Sequence, residues 1–223
     1  MKIAVLSDTH GLLRDEVIEI IKSSDAVIHG GDINSQKILD KIKSVMKPSA
    51  ELFVVRGNND KEWAEYLPEF LDFELTGIKF ALVHNRRDLP DTPDADIIIF
   101  GHTHKYFEER IDGRLWLNPG SCGKRRFTLP VTMAVLHTDG KSYSVEKIDI
   151  ENGAPAPKNT LQTIKDIMKL MDKGSDVDAI AKRLGIDREF VRQIAMIRVT
   201  HPGVTAEGIM NKIEVNDVVV PHR

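Results

Sequence analysis

Cysteine is nearly absent: Cys122 is the only one among 223 residues. No disulfide can form within the chain, and a reducing, cytoplasmic setting is the expectation. Long apolar runs are missing as well. None approaches the roughly 20 residues that a membrane helix needs. The opening Met1-Lys2-Ile3-Ala4-Val5-Leu6-Ser7-Asp8 meets an aspartate too early to be a signal-peptide core. A chain with no targeting segment and no membrane partner is expected. Charge of one sign is scarce too. The formal net charge is -3 with 29% charged residues, which excludes a strong whole-chain pull toward nucleic acid or membrane. Internal repeats and low-complexity tracts are not found. Hydrophobic residues make up 41%, enough for one large domain or a large and a small one.

What is present first is an alternation of strand and helix patterns. Lys2 to Leu6, Ala26 to His29 and Leu52 to Val55 read as buried strands. Between them, Leu12 to Ile21 and Gln36 to Met46 have helical spacing, and Pro48 stops the second. After Leu67-Pro68 the texture turns to hairpins. Phe70 to Leu75 and Lys79 to Val83 flank Thr76-Gly77, and further strands are expected at Asp96 to Phe100, Tyr106 to Ile111, Leu115 to Leu117, Val131 to Leu136 and Tyr143 to Ile148. Asp112-Gly113 and Asp139-Gly140 supply turns. The segment Glu151 to Pro157, with two prolines and a glycine, reads as a linker. Beyond it only helices are expected, at Leu161 to Asp172, Asp176 to Leu184, Arg188 to Arg198 and Ala206 to Ile213. The expected domains are therefore 1–154, mixed α/β, and 155–223, all-α. Residues 158–223 hold 11 Lys+Arg against 9 Asp+Glu, leaving 20 against 25 in the rest. The acidic half suits bound cations.

Five short polar pieces each follow an apolar run: Asp8-Thr9-His10, Gly31-Asp32, Gly57-Asn58-Asn59-Asp60, Val83-His84 and Gly101-His102-Thr103-His104. Strand ends in α/β folds share one rim, so these pieces should converge. The pairs Asp8/His10 and His102/His104 are two apart, which in extended backbone points both side chains to one face. Asp8, His10, Asp32, Asn58, His84, His102 and His104 together offer two carboxylates, four imidazoles and one amide oxygen. Such a set suits Mn²⁺, with Fe, Zn²⁺, Ni²⁺ or Mg²⁺ as alternatives, and the lack of thiolates argues against a structural zinc. Seven donors exceed the needs of one ion and fit two.

This order of pieces resembles the calcineurin-like metallophosphoesterase superfamily, whose pattern is D-x-H, G-D, G-N-x-[DE], H and G-H-x-H. The resemblance covers about residues 1–150 and implies a four-layer αββα sandwich with metals at one rim. It implies that Asp8, His10 and His104 bind a first metal, that Asn58, His84 and His102 bind a second, and that Asp32 bridges. Asn118-Pro119-Gly120-Ser121 also looks like a turn of the small bacterial and archaeal members. Two departures stand out. Asn59 occupies the place of a common histidine that helps the leaving group, and it is no acid near neutral pH. The small phosphodiesterase branch also lacks that histidine, so diesters and activated leaving groups are expected. Asn85 follows His84 where a glycine is common.

The expected function is a metal-dependent phosphodiesterase that cleaves a P–O bond with a hydroxide bridging two divalent metals, and Asp32, Asn58 and His102 are its catalytic candidates. Asn59, Arg56 and Arg86 are candidates to meet the substrate phosphate. The alternatives are a phosphomonoesterase or nuclease on the same site, or a DNA-binding regulator. That last reading rests on residues 180–194, which resemble a helix-turn-helix: Gly185 makes the turn, Asp187 caps the second helix, and Arg188, Arg192 and Gln193 are on its exposed face. An interaction or dimerisation module is preferred over nucleic-acid binding, which leaves a homo-oligomer open. Asp60 is read as the cap of a following helix in preference to a brace for a ligand. His29, His137, His201 and His222 are read as structural, and Cys122 as a buried small residue.

Overall fold

The structure, a computed structural model, describes residues 1–90, 93–151 and 157–214. In chain order the first elements are β1 (Lys2–Leu6), α1 (Asp15–Ser23), β2 (Ala26–His29), α2 (Gln36–Val45), β3 (Glu51–Val54), β4 (Phe70–Leu75), β5 (Ile78–Val83) and β6 (Ile97–Ile99). They are followed by β7 (Tyr106–Ile111), β8 (Arg114–Pro119), β9 (Val131–Thr138) and β10 (Tyr143–Glu151). The helices α3 (Thr160–Asp172), α4 (Val177–Leu184), α5 (Arg188–Thr200) and α6 (Ala206–Glu214) complete the order.

The continuous apolar run of β1 is buried on both faces, and this decides the architecture. β1 is the middle strand of a five-stranded sheet ordered β10-β9-β1-β2-β3. It pairs parallel with β2 and antiparallel with β9, and β2 pairs parallel with β3. Ile3 and Val5 face a core shared with Phe80, Leu82, Ile97, Ile99 and Leu117 of a second sheet, ordered β4-β5-β6-β8-β7. Ala4 and Leu6 face the other way, onto Val17 and Ile21 of α1 and Leu39 and Ile42 of α2. Each fully buried Leu or Phe of this double layer contributes about 1.5–3 kcal/mol over its exposed state. On the far side of the second sheet, Ala81, Ile98 and Trp116 pack with Ala95 and Leu89. Among the described residues between β5 and β6, the helical structure is a single turn, Arg86–Asp88. The mixed α/β sandwich of two sheets with helices is what the sequence led one to expect.

Turn chemistry fixes the register of the antiparallel parts. Leu75 pairs with Ile78 and Ile111 with Arg114, so each hairpin loop has two residues. Thr76 and Gly77 have φ of 50° and 83°, Asp112 and Gly113 50° and 80°. Positive φ at both central residues is the type I′ pattern that matches strand twist.

The chain forms two compact units, Met1–Lys124 with Val131–Asn152, and Arg125–Pro130 with Gly153–Arg223. Residues 125–130 thus interrupt the continuous first domain expected from sequence. They belong with the helices because Phe127 is part of the helical core, beside Ile164, Ile180, Phe190, Val191 and Ile194. The Phe127 N–H donates to Gln193 Oε1, and the Gln193 amide returns a bond to the Arg125 carbonyl at 2.6 Å. Arg125 pairs with Asp187 at 2.6 Å. Within this unit, Asp176 and Asp187 accept from the N–H groups of Ala179 and Phe190 as helix caps. Gly185 closes α4 with φ of 62°. The linker expected before Pro157 falls largely on residues 152–156, and His222 also lies outside the described residues.

Phe127→Ala should remove about 3–5 kcal/mol from the helical unit. Hydrogen exchange at the α5 amides should accelerate accordingly; unchanged exchange there would show that this residue is not part of that core.

Candidate metal centre

The residues singled out from sequence follow the parallel strands of both sheets. Asp8 and His10 come after β1, Asp32 after β2, Asn58 after β3, His84 after β5, and His102 and His104 after β6. Their loops are stitched together by backbone hydrogen bonds. Asp8 N–H donates to Gly31 O, His10 N–H to Asp32 O, and Gly101 N–H to His84 O, all at 2.9–3.0 Å. Two glycines permit the approach. A Cβ at Gly57 would lie 2.2 Å from the Asp32 backbone nitrogen, and one at Gly101 would lie 2.0 Å from Ser7 Oγ.

The backbone here is not extended. Asp8, His10, Asp32, His102 and His104 have φ of 55°, 45°, 55°, 69° and 62°. The extended-strand argument for the Asp8/His10 and His102/His104 pairs is therefore wrong. Both members of each pair are left-handed, and the turn, not strand pleating, aims them together. Non-glycine residues rarely adopt this conformation, and where they do the surroundings must enforce it.

The structure brings all seven side chains together. His104 Nε2 lies 3.2 Å from Asp8 Oδ1, and His10 Nε2 lies 3.8 Å from Asp8 Oδ1 and 3.8 Å from Asp32 Oδ2. The Nε2 atoms of His10 and His104 are 3.0 Å apart. His84 Nε2 is 3.4 Å from Asp32 Oδ1 and 3.0 Å from Asn58 Oδ1, which is 2.9 Å from His102 Nδ1. Two trios have donor atoms close enough to hold an ion: Asp8, His10 and His104, and Asp8, Asp32 and His84.

The donor chemistry fits cations. Asp8 Oδ1 is buried without a hydrogen-bond partner, although its other oxygen accepts from Ser7 Oγ at 2.6 Å and His102 N–H at 3.1 Å. His104 Nδ1, also buried, has none. His84 Nδ1 sits 2.7 Å from the Gly30 carbonyl, which can only accept, so Nδ1 carries the proton. His84 Nε2 faces two oxygens, Asn58 Oδ1 and Asp32 Oδ1. Imidazole, carboxylate and amide donors converging in this way are the set a divalent cation takes. Burial works to raise the Asp8 carboxyl, but His104, His84 and the Ser7 hydroxyl outweigh it and hold it well below the usual carboxylate range. Burial lowers His102, helped by His84 and opposed by Asp8 and Asp32. A neutral imidazole is the form that can ligate.

Several residues named from sequence brace the cluster, some in roles other than the ones first read for them. Asp60 is not a helix cap: its Oδ1 accepts from the N–H groups of Ile33 and Asn34, and its Oδ2 from that of Gly57, at 2.7–3.0 Å. It locks the Asp32 loop to the Asn58 loop. Asn59 donates its backbone N–H and side-chain amide to the two oxygens of Asp32, at 2.8 and 2.6 Å. His29 stays neutral, its pKa pushed to about 3 by burial, and lies 3.1 Å from Thr9 Oγ1 while accepting from Gly31 N–H at 3.1 Å. Asn118 donates to Gly101 O at 2.7 Å, and Ser121 Oγ to Asp8 O at 2.8 Å, so the Asn-Pro-Gly-Ser turn braces the site from behind. The other candidates have partners of their own. Arg56 is engaged by Glu69, and the Arg86 guanidinium lies 6.0 Å from the Phe100 ring centre.

A loop-borne cluster of this make-up at the rim of two stacked sheets defines a metallophosphoesterase. Residues 1–141 match the calcineurin-like phosphoesterase superfamily domain, and the chain belongs to that family. A protein of Methanothermobacter thermautotrophicus named a probable metallophosphoesterase is 31% identical over 170 residues, covering 70% of this chain and 95% of its own. One from Methanocaldococcus jannaschii, named a phosphodiesterase, is 30% identical over 164 residues, covering 64% and 96%. A solved structure described as a novel archaeal phosphodiesterase superposes with a TM-score of 0.51 at 27% identity, covering 66% of this chain and all of its own.

Asp60→Asn keeps one acceptor and removes the other. It should weaken Mn²⁺ binding by about 10–100-fold, the usual cost of losing a group that orients a ligand loop. Titration calorimetry measures this, and an unchanged affinity would contradict the bracing role.

Proposed function

We propose that this chain is a two-metal phosphodiesterase. Asp8, His10 and His104 would hold one divalent cation and Asn58, His84 and His102 a second, with Asp32 between them. Mn²⁺ is the first choice among metals that accept mixed oxygen and nitrogen donors. The observation that carries this reading is the set of donor atoms facing one another, above all the unsatisfied Asp8 Oδ1 and His84 Nε2 facing Asp32 and Asn58. Bound there, the cations supply charge against the phosphoryl oxygens and lower the pKa of water to near neutrality.

The chain's own residues do the rest. Asp32 is fixed by Asn59, so its two oxygens keep one orientation as substrate arrives. His84 is held in a single tautomer by Gly30. His102 is half-exposed on the open side of the cluster, where substrate can reach it. Asn59 can donate a hydrogen bond to a phosphoryl oxygen but not a proton to a leaving alkoxide. Diesters and aryl esters, whose leaving groups need less help, are therefore the preferred substrates over alkyl monoesters. The relative named a phosphodiesterase supports the same choice.

For the helical unit we infer a protein-interaction role in preference to DNA binding. α4 and α5 are joined by a short turn at residues 185–187, in keeping with the helix-turn-helix-like pair we propose for them. Its second helix, however, has its polar residues engaged: Arg188 with Asp178, Arg192 with Glu189, and Gln193 with residues 125 and 127. Gln193 is thus not free on an open helix face, contrary to the sequence expectation. A cytoplasmic setting fits the free, buried thiol of Cys122.

Asp32→Ala and His102→Ala should each lower hydrolysis of bis(p-nitrophenyl) phosphate by more than about a hundredfold, beyond the cost of outer groups. Chelator-treated protein should be inactive and recover with Mn²⁺. Full activity in metal-free buffer would overturn the scheme.

A further inference from the structure

We propose that His29 is a positioning residue for the metal centre. It holds the turn of Asp8 and His10 to the turn of Asp32, as the middle link of a hydrogen-bond chain that starts at His84 and ends at Thr9. This assignment rests on the two-metal reading above.

His29 is the last residue of β2 and is fully buried. Its Nδ1 accepts from the Gly31 N–H at 3.1 Å, so that nitrogen carries no proton. The proton of the neutral ring is therefore on Nε2, which lies 3.1 Å from Thr9 Oγ1 and donates to it. The Gly31 N–H belongs to the same peptide unit as the Gly30 carbonyl, and that carbonyl accepts from His84 Nδ1 at 2.7 Å. The links thus run in one direction: His84 Nδ1–H to Gly30 O, Gly31 N–H to His29 Nδ1, His29 Nε2–H to Thr9 Oγ1. The peptide can serve both rings because neither glycine has a side chain. A Cβ on Gly31 would lie 2.8 Å from His84 Nδ1, and one on Gly30 would lie 2.9 Å from Ser7 Oγ.

The place of each link says what it does. Thr9 stands between Asp8 and His10, and Gly31 immediately precedes Asp32. One buried ring thus ties together the two turns that carry Asp8, His10 and Asp32. A ring bonded at both nitrogens keeps one tautomer and one orientation. Hydrogen bonds that run in one direction through a buried site polarise one another, so each link strengthens the next. Cutting the last link frees the Asp8–His10 turn, while His84 keeps its partner at Gly30.

Titration of the full, metal-free chain with Mn²⁺ tests this, followed by calorimetry and by electron paramagnetic resonance of the bound pair. Thr9→Val keeps the side-chain shape and removes the hydroxyl. It should weaken one of the two manganese equivalents by about 10–100-fold, the cost of losing a group that orients a ligand turn, and leave the other within about threefold. The exchange-coupled signal should vanish at a manganese level that produces it in the wild type. Thr9→Ser keeps the hydroxyl and should retain both readouts. His29→Asn keeps an acceptor for the Gly31 N–H but is too short to reach Thr9. It should match Thr9→Val, and it carries the test if Thr9→Val fails to fold. The double variant should lose no more than the larger single loss, because both cut one link. Unchanged affinity, equal losses at both equivalents, or a Thr9→Ser no better than Thr9→Val would overturn the assignment. A wild type that binds fewer than two equivalents overturns the two-metal reading and this assignment with it. Two equivalents in the wild type with no change in Thr9→Val overturns this assignment alone.

Discussion

Five acidic or imidazole side chains can meet at one rim only because their backbone is held left-handed. Each such non-glycine residue costs on the order of 1 kcal/mol or more, and Asp8, His10, Asp32, His102 and His104 all bear it. The two sheets enforce it. β1 is gripped by β2 and β9 up to Val5, its next residues bond to the Gly30–Ile33 segment, and Ser121 and Cys122 hold the same turn from the other sheet's connection. With the backbone so fixed, carboxylate, imidazole and amide donor atoms are held close to one another. That convergence of donors is the structural reason for expecting bound cations.

The supporting groups extend this logic outward. Asp60 ties two loops that come from neighbouring strands, Asn118 ties the turn after β8 to the His102 loop, and His29 links the Asp8 and Gly31 turns as a neutral ring. None of these carries the exposure of a substrate-binding group. Their partners are mostly backbone N–H and C=O groups that a buried loop must satisfy in any case. The centre is thus positioned by the ordinary hydrogen-bond requirements of buried loops, with a few side chains serving several loops at once.

The parts legible in sequence were those with a local signature. Buried apolar runs marked the strands, Thr76-Gly77 and Asp112-Gly113 marked two-residue hairpins, and the five polar pieces after strands marked the rim. The parts that were not legible depend on distant partners. A left-handed Asp8 has no local mark, because it is imposed by residues around positions 31 and 121. Asp60 looked like a cap because its three N–H partners include two near position 33. Phe127 joins a core more than thirty positions further along the chain, and nothing near it in sequence announces helices. Gln193 was placed on an open helix face for the same reason: the loop that engages it comes from between β8 and β9.

We propose that two cations sit among seven side chains: Asp8, His10, Asp32, Asn58, His84, His102 and His104. The most direct measurement is an anomalous difference map from crystals of the protein soaked in Mn²⁺. Two peaks are expected, one bounded by Asp8, His10 and His104 and the other by Asn58, His84 and His102, with Asp32 next to both. A map with no peak inside this ring, or with manganese bound elsewhere on the chain, would contradict it.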